Sequence, residues 1–133
     1  MRLIIGGAFQ GKYEYAKETY PKAFIINEIH TLIREDVRRR VCKIQNPDGI
    51  RPDAGYVTLQ RELEESWYQK TQEWICQYPD LCLICDEVGM GIVPMEKWER
   101  IYREVVGHIC IRLAKEADSV ERIVGGISLR IKG

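Results

Sequence analysis

Apolar positions along this chain follow two periodicities, and the switches between them outline the fold. Leu3-Ile4-Ile5 is an unbroken apolar run, which predicts a strand over residues 2–5 buried on both faces, as in a parallel sheet. Residues 12–20 predict a first helix that stops ahead of Pro21. A second short strand is expected at Ala23-Phe24-Ile25-Ile26, after which Asn27 can cap a helix. That helix places Ile29, Leu32, Ile33, Val37, Val41 and Ile44 on its inner face and Arg34, Glu35, Arg38 and Arg39 on the opposite one. Residues 45–56, with Pro47, Asp48, Gly49, Pro52 and Gly55, are expected to form a long loop of the kind used as a lid or mobile connector. A long helix follows over residues 59–77, with Leu59, Leu63, Trp67, Trp74 and Tyr78 expected to pack against the sheet.

Leu81 to Cys85 predicts a third buried strand, and Asp86-Glu87 at its C-terminal end sits where open parallel sheets place their ligands. After a glycine-kinked loop, residues 96–115 predict another helix with Trp98, Ile101, Tyr102, Val105, Ile109 and Leu113 inward. His108 falls on the edge of that stripe and reads as structural rather than catalytic. Residues 118–124 predict a fourth strand, Gly125-Gly126 breaks it, and residues 127–131 alternate into a fifth; so tight a connection implies an antiparallel edge hairpin.

The segment between the first strand and first helix carries chemistry. Gly6-Gly7-Ala8-Phe9-Gln10-Gly11-Lys12 spells G-x-x-x-x-G-K, the pattern of a phosphate-cradling loop, in the strand-to-helix setting such a loop requires. Glycines bring backbone N–H groups close to phosphate oxygens, and the helix behind presents its free donors and positive dipole end to the same anion. Lys12 adds a point charge for the outer phosphates. The next position is Tyr13, where Ser or Thr would offer a hydroxyl to Mg2+. Asp86 and Glu87 are the candidate Mg2+ holders.

Composition narrows the function classes. At 133 residues the chain reads as one domain, and 20 basic residues balance 20 acidic ones, so no global field draws it to nucleic acid or anionic lipid. No apolar run approaches the ~20 residues that span a bilayer, and a strand starting at residue 2 leaves no room for a signal peptide, so a cytoplasmic protein is expected. Arg38-Arg39-Arg40 adjoins Glu35 and Asp36 without interleaved aromatics and reads as a solvated face. The five cysteines are expected to be reduced. Cys82 and Cys85 spell C-x-x-C, but residues three apart on a strand point to opposite faces, so they read as small buried hydrophobes rather than a redox or metal pair.

Three segments together resemble a known family: Leu3 through Lys12; Asp86-Glu87-Val88-Gly89-Met90-Gly91-Ile92-Val93-Pro94; and Ala117-Asp118-Ser119-Val120 through Val124-Gly125-Gly126-Ile127 to Lys132. They are similar, in the same order, to the bifunctional adenosylcobinamide kinase/adenosylcobinamide-phosphate guanylyltransferases of cobalamin assembly. The resemblance implies an α/β, three-layer phosphate-loop NTPase fold (RecA-like), mostly parallel with a C-terminal antiparallel hairpin, and a homotrimer. It implies phosphoryl transfer from ATP or GTP to the aminopropanol hydroxyl of adenosylcobinamide, then transfer of GMP through a histidine-linked intermediate. Residues 6–13 would then hold the nucleotide, Lys12 would stabilise the transferring phosphoryl group, and Glu87 would match the acidic residue after the third strand. Arg100 and Arg103 match basic positions on the following helix, Glu104 stands where the family has Asp, and Cys110-Ile111 where it commonly has Asn-Gln.

This chain departs from that pattern in telling places. The register that puts Phe24-Ile25-Ile26-Asn27 on the family's second acidic-ended strand leaves a deletion between the first helix and residue 23, the part that carries the guanylylated histidine. Neither His30 nor His108 falls in an equivalent place, so GMP transfer is expected to be absent. Asn27 replaces an acid and Tyr13 a hydroxyl, and both weaken the Mg2+ site. His30 and Arg34, beyond Asn27, are candidate cleft residues. Three readings follow: a minimal cobinamide-type kinase, a non-catalytic nucleotide or corrinoid binder, and a partner subunit whose loop merely turns the chain.

Overall fold

The computed structural model describes residues 1–44, 53–89 and 91–133; residues 45–52, Met90 and the side chains of Ile44, Asp53 and Ala54 lie outside it. In chain order the elements are β1 (Arg2–Gly6), α1 (Lys12–Thr19), β2 (Phe24–Ile26), α2 (Ile29–Ile44), α3 (Asp53–Gln77), β3 (Leu81–Asp86), α4 (Lys97–Glu116), β4 (Ser119–Val124) and β5 (Ile127–Lys132). The five strands form one sheet in the order β2-β3-β1-β4-β5. β1 is central, parallel to β3 on one side and β4 on the other, and β2 runs parallel to β3. Only β5 is antiparallel, joined to β4 through Gly125-Gly126 as the hairpin pattern predicts.

Strand alternation divides the core between the two faces. Leu3, Leu81, Leu83, Cys85 and Val120 point into a large cluster with α2, α3 and α4, built on Ile33, Val37, Leu63, Val105, Ile109 and Leu113. Ile4, Cys82, Ile84 and Ile123 point the other way, onto Ala16 of α1. Cys82 and Cys85 thus lie on opposite faces, as a period of two requires. Burying these side chains, at about 1.5–3 kcal/mol for each fully buried Val, Leu or Ile, is the main force that holds the layers together.

Three expectations need correction. α3 begins at Asp53 rather than near residue 59, so Gly55 and Tyr56 belong to a helix. Glycine costs a helix about 1 kcal/mol, but Tyr56 packs on the core and carries Lys97 Nζ 4.8 Å from its ring centroid. The lid reading of the remaining loop falls on residues 45–52, outside the described part. Second, α3 lies chiefly against α4 and α2 rather than on the sheet. Third, Leu32 is half exposed, because Ile29, Ile33, Val37 and Val41 already fill the buried stripe of α2.

The end of β1 shows why Gly6 must be glycine. A Cβ there would stand 2.6 Å from the carbonyl oxygen of Ile123 on β4. Gly6→Ala is therefore expected to lower stability by about 1–3 kcal/mol, seen as an earlier urea midpoint. An unchanged midpoint would contradict this close approach.

Candidate functional site

The parallel strands β1, β2 and β3 deliver their C-terminal ends to one edge of the sheet, and the glycine-rich loop leaves β1 there. Gly11 at the start of α1 has φ 84°, a left-handed value at which a side chain would be strained. Phe9, at φ 58°, turns its ring fully into solvent. The loop is also held from outside. Gly126 N donates to the Gln10 carbonyl (2.9 Å) and Gly125 N donates to Gln10 Oε1 (2.6 Å), so the β4–β5 turn braces its tip.

Lys12 is the most informative side chain of the loop. It opens α1 yet is only 7% exposed. Its ammonium donates to the Gly7 carbonyl at 2.6 Å and pairs with Asp86 Oδ1 at 2.7 Å. A buried ammonium is costly without a partner; here a carboxylate and a carbonyl compensate it, beside a cavity that Lys12 and Asp86 both line. That cavity, about 320 Å³, is lined by residues 8–14 with Asn27, Glu28 and Asp86.

His30, from the first turn of α2, closes the far side of Asp86. Its Nδ1 accepts from the Asp86 backbone N–H at 3.0 Å, and its Nε2 lies 3.3 Å from Asp86 Oδ2. The first contact needs a bare Nδ1, so the proton belongs on Nε2, facing the carboxylate. Burial lowers the pKa of His30 from the usual 6.5 and outweighs the attraction of Asp86. We expect nitrogen NMR to find His30 neutral with the Nε2–H tautomer at pH 7, gaining its second proton below pH 6.5; a charged ring at neutral pH would contradict the contact geometry.

Glu87 is differently placed. Its backbone N–H donates to the Gly6 carbonyl at 2.8 Å. Its carboxylate takes a fork from Arg122 of β4, with Nε 2.7 Å from Oε1 and Nη2 3.1 Å from Oε2. The two expected Mg2+ holders therefore differ in surroundings: Asp86 faces the loop cavity, and Glu87 is occupied by an arginine beside it. Among the described residues no three His, Cys, Asp or Glu side chains converge on a metal position. Mg2+ retains several waters and borrows phosphate oxygens, so a lone carboxylate such as Asp86 is compatible with an ion carried in by a nucleotide.

Of the other candidates, Tyr13 lines this cavity and the rest do not. Arg34 stacks its guanidinium 5.2 Å from the Trp98 ring centroid. Arg100 donates to the carbonyls of Pro94 and Met95, and Arg103 to that of Ile92, so both shape the 88–95 loop and line a smaller cavity with Gly89, Val93 and Glu104. Tyr13 is 39% exposed, with Lys17 Nζ 5.1 Å from its ring. His108 bonds Glu64 at 2.5 Å on the surface. A roomier groove, about 950 Å³, lies between α2 and α3 and is lined in part by Arg38, Arg39 and Arg40. Its Asp36 already pairs with Arg39 and Arg40 and accepts from Trp67 Nε1.

Sequence reasoning did not find Arg122, Glu28 or the bracing role of Gln10. Arg122 left a signal: in a strand where alternation turns it away from its neighbour Glu121, an arginine calls for an acid on its own face. Gln10 left none, since its partners are backbone groups 115 positions away.

The chain has recognisable relatives among known proteins. Residues 53–131 match the model of the family described as cobinamide kinase / cobinamide phosphate guanyltransferase. Over 50 residues the chain is 46% identical to the bifunctional adenosylcobalamin biosynthesis protein CobU of Salmonella typhimurium, a match covering 38% of this chain and 28% of that protein. The corresponding protein of Escherichia coli is 42% identical over the same shares. The chain thus matches well under a third of the length of these relatives, and the family match includes Asp86 and Glu87 but not the glycine-rich loop.

Proposed function

Because the chain belongs to the cobinamide kinase / cobinamide phosphate guanyltransferase family, we propose that it is a phosphate-loop nucleotide-binding protein that transfers a phosphoryl group from ATP or GTP to a corrinoid hydroxyl. One observation carries the reading: the Lys12 ammonium is held 2.7 Å from Asp86 at the start of α1, at the C-terminal edge of a parallel sheet. Such a lysine is stored on an acid and ready for a stronger anion.

The chemistry assigned to each residue is mainly positioning, which phosphoryl transfer chiefly demands. The backbone N–H groups of residues 6–12 and the N-terminus of α1 hold the phosphates. Lys12 leaves Asp86 for the outer phosphates and offsets the charge of the transferring group. Asp86, freed on one side and still oriented by His30, would hold a Mg2+ ion that supplies further charge neutralisation. Asn27 and Glu28 form the opposite wall.

Two features support loss of the second family activity. His30 is buried with both ring nitrogens engaged by Asp86, and His108 sits on the outer face of α4 with Glu64. Neither is presented as a nucleophile for GMP. A non-catalytic binder is the second reading, favoured by Tyr13: its bulky ring lies against Lys17, where a short hydroxyl would be needed for the metal.

Incubation with adenosylcobinamide and nucleotide labelled at the terminal phosphate tests the kinase reading. Terminal label is expected on the corrinoid, while a parallel incubation with GTP labelled at the α-phosphate is expected to leave no GMP adduct on the denatured protein. Binding without transfer, indifferent to Mg2+, would instead establish the non-catalytic form.

A further inference from the structure

Cys85 and Cys110 meet although 25 residues separate them. Cys85 ends the buried part of β3, one residue before Asp86, and is 2% exposed. Cys110 lies on α4, partly open to solvent. Their sulfurs are 3.6 Å apart in hydrogen-bond contact. A disulfide needs ~2.05 Å, so the two sulfurs must approach by about 1.5 Å to close the bridge. The C-x-x-C partner Cys82 points through the sheet to the opposite cluster and cannot compete.

We propose that Cys110 and Cys85 form a peroxide-reactive pair that closes to a disulfide, tethering α4 to β3 directly beneath the glycine-rich loop. The pair divides the labour by access. Cys110 is reachable and attacks: its thiolate sulfur displaces hydroxide from the peroxide, the O–O bond breaks, and Cys110 becomes a sulfenic acid. Cys85 resolves: its sulfur bonds to Cys110 Sγ, the S–O bond breaks, and the departing hydroxide takes the Cys85 proton as water. Two thiols are oxidised and one peroxide is reduced to two waters.

The contact runs from Cys110, the partly open thiol, to Cys85, the buried one, which fits attack by the first and resolution by the second. Cys85 Sγ also lies 3.4 Å from the Asp86 carbonyl, so closing the bridge acts on the residue that stores Lys12.

The test does not depend on the nucleotide reading. Treat the intact protein with hydrogen peroxide, remove the peroxide, block remaining thiols with an alkylating reagent in denaturant so that the buried ones are reached, and map the peptides. The expected result is a fall from five alkylated cysteines to three, with Cys85 and Cys110 in one cross-linked peptide that dithiothreitol releases. Cys85→Ala should leave Cys110 as a sulfenic acid trapped by dimedone, and Cys110→Ala should leave all four remaining thiols reactive. A bridge to Cys42, Cys76 or Cys82, or alkylation of all five cysteines after peroxide, would overturn the proposal; both readouts are available on the unmodified chain even if a variant fails to fold. ATP titration of the reduced and bridged forms separates this result from the fate of the nucleotide reading, because bridging can be complete in a protein that binds no nucleotide.

Discussion

Replacing Lys12 with alanine is expected to lower nucleotide-dependent phosphoryl transfer at least hundredfold, the loss typical when a preorganised charge is removed from a developing anion. The variant loses a cation that is 7% exposed and leaves Asp86 with His30 alone. Two effects then oppose each other in stability. The uncompensated carboxylate is destabilising, but Asp86 is about one-fifth exposed and can draw in water. The fold should therefore survive with a modest loss, and circular dichroism should match the parent. Lys12→Arg separates charge from shape: the guanidinium keeps the charge but not the compact ammonium that reaches Gly7 O and Asp86 together, so little activity should return. Transfer unchanged in Lys12→Ala would remove the role assigned to this residue.

The second large effect lies on the face of the sheet that α1 covers. Glu121 of β4 is 3% exposed and accepts from Tyr15 and Tyr20 hydroxyls, each at 2.7 Å, and from Ser128 at 3.0 Å, with Arg130 3.4 Å away. This cluster ties α1 to the β4–β5 hairpin, and the same hairpin braces Gln10. Glu121→Ala would strand the hydroxyls and the arginine, and should cost about 3 kcal/mol.

The pH dependence follows from the same contacts. Burial pushes the Glu121 pKa up, but the hydrogen bonds from Tyr20, Tyr15 and Ser128 outweigh it and leave a value below the usual 4.5. A depressed folded pKa means the stabilisation is complete above 4.5 and fades as pH falls through the lower folded value. Glu121→Gln should accordingly be less stable than the parent at neutral pH and lose less on acidification. Tyr20 gives the alkaline counterpart: burial and its bond to Glu121 push it from 10 up to about 12, so its contribution holds below pH 10 and fades towards 12. A denaturant series across pH reads both limbs; parallel acid limbs in parent and Glu121→Gln would contradict the assignment.

Much of this architecture was legible because punctuation and periodicity agreed. Leu3-Ile4-Ile5 followed by glycines, the inward stripe of α4 from Trp98 to Leu113, and the Gly125-Gly126 break each specify an element without help from elsewhere. Failures came where tertiary contact decided. Gly55 argued against helix until Tyr56 found the core, and Leu32 matched the helical spacing of α2 but had no room on its buried stripe. Periodicity reports which way a side chain faces and not what it meets. It could place Glu87 at a strand end without revealing Arg122, and could separate Cys82 from Cys85 without revealing Cys110.

The candidate site divides in the same way. The loop, Lys12 and Asp86 were readable as a motif, and the structure brings them to one cavity together with Asn27. His30 could be placed near the cleft but not assigned its bonds to Asp86. Arg34, Arg100 and Arg103 carry charge on helices near that edge, yet aromatic and carbonyl partners claim them.

The claim on which the rest depends is that residues 6–12 hold the phosphates of a nucleoside triphosphate. Calorimetric titration with ATP and GTP, with and without Mg2+, tests it most directly. Saturable binding at or below millimolar nucleotide is predicted, tightened by Mg2+ and lost in Lys12→Ala; no heat of binding from either nucleotide at millimolar concentration would contradict it.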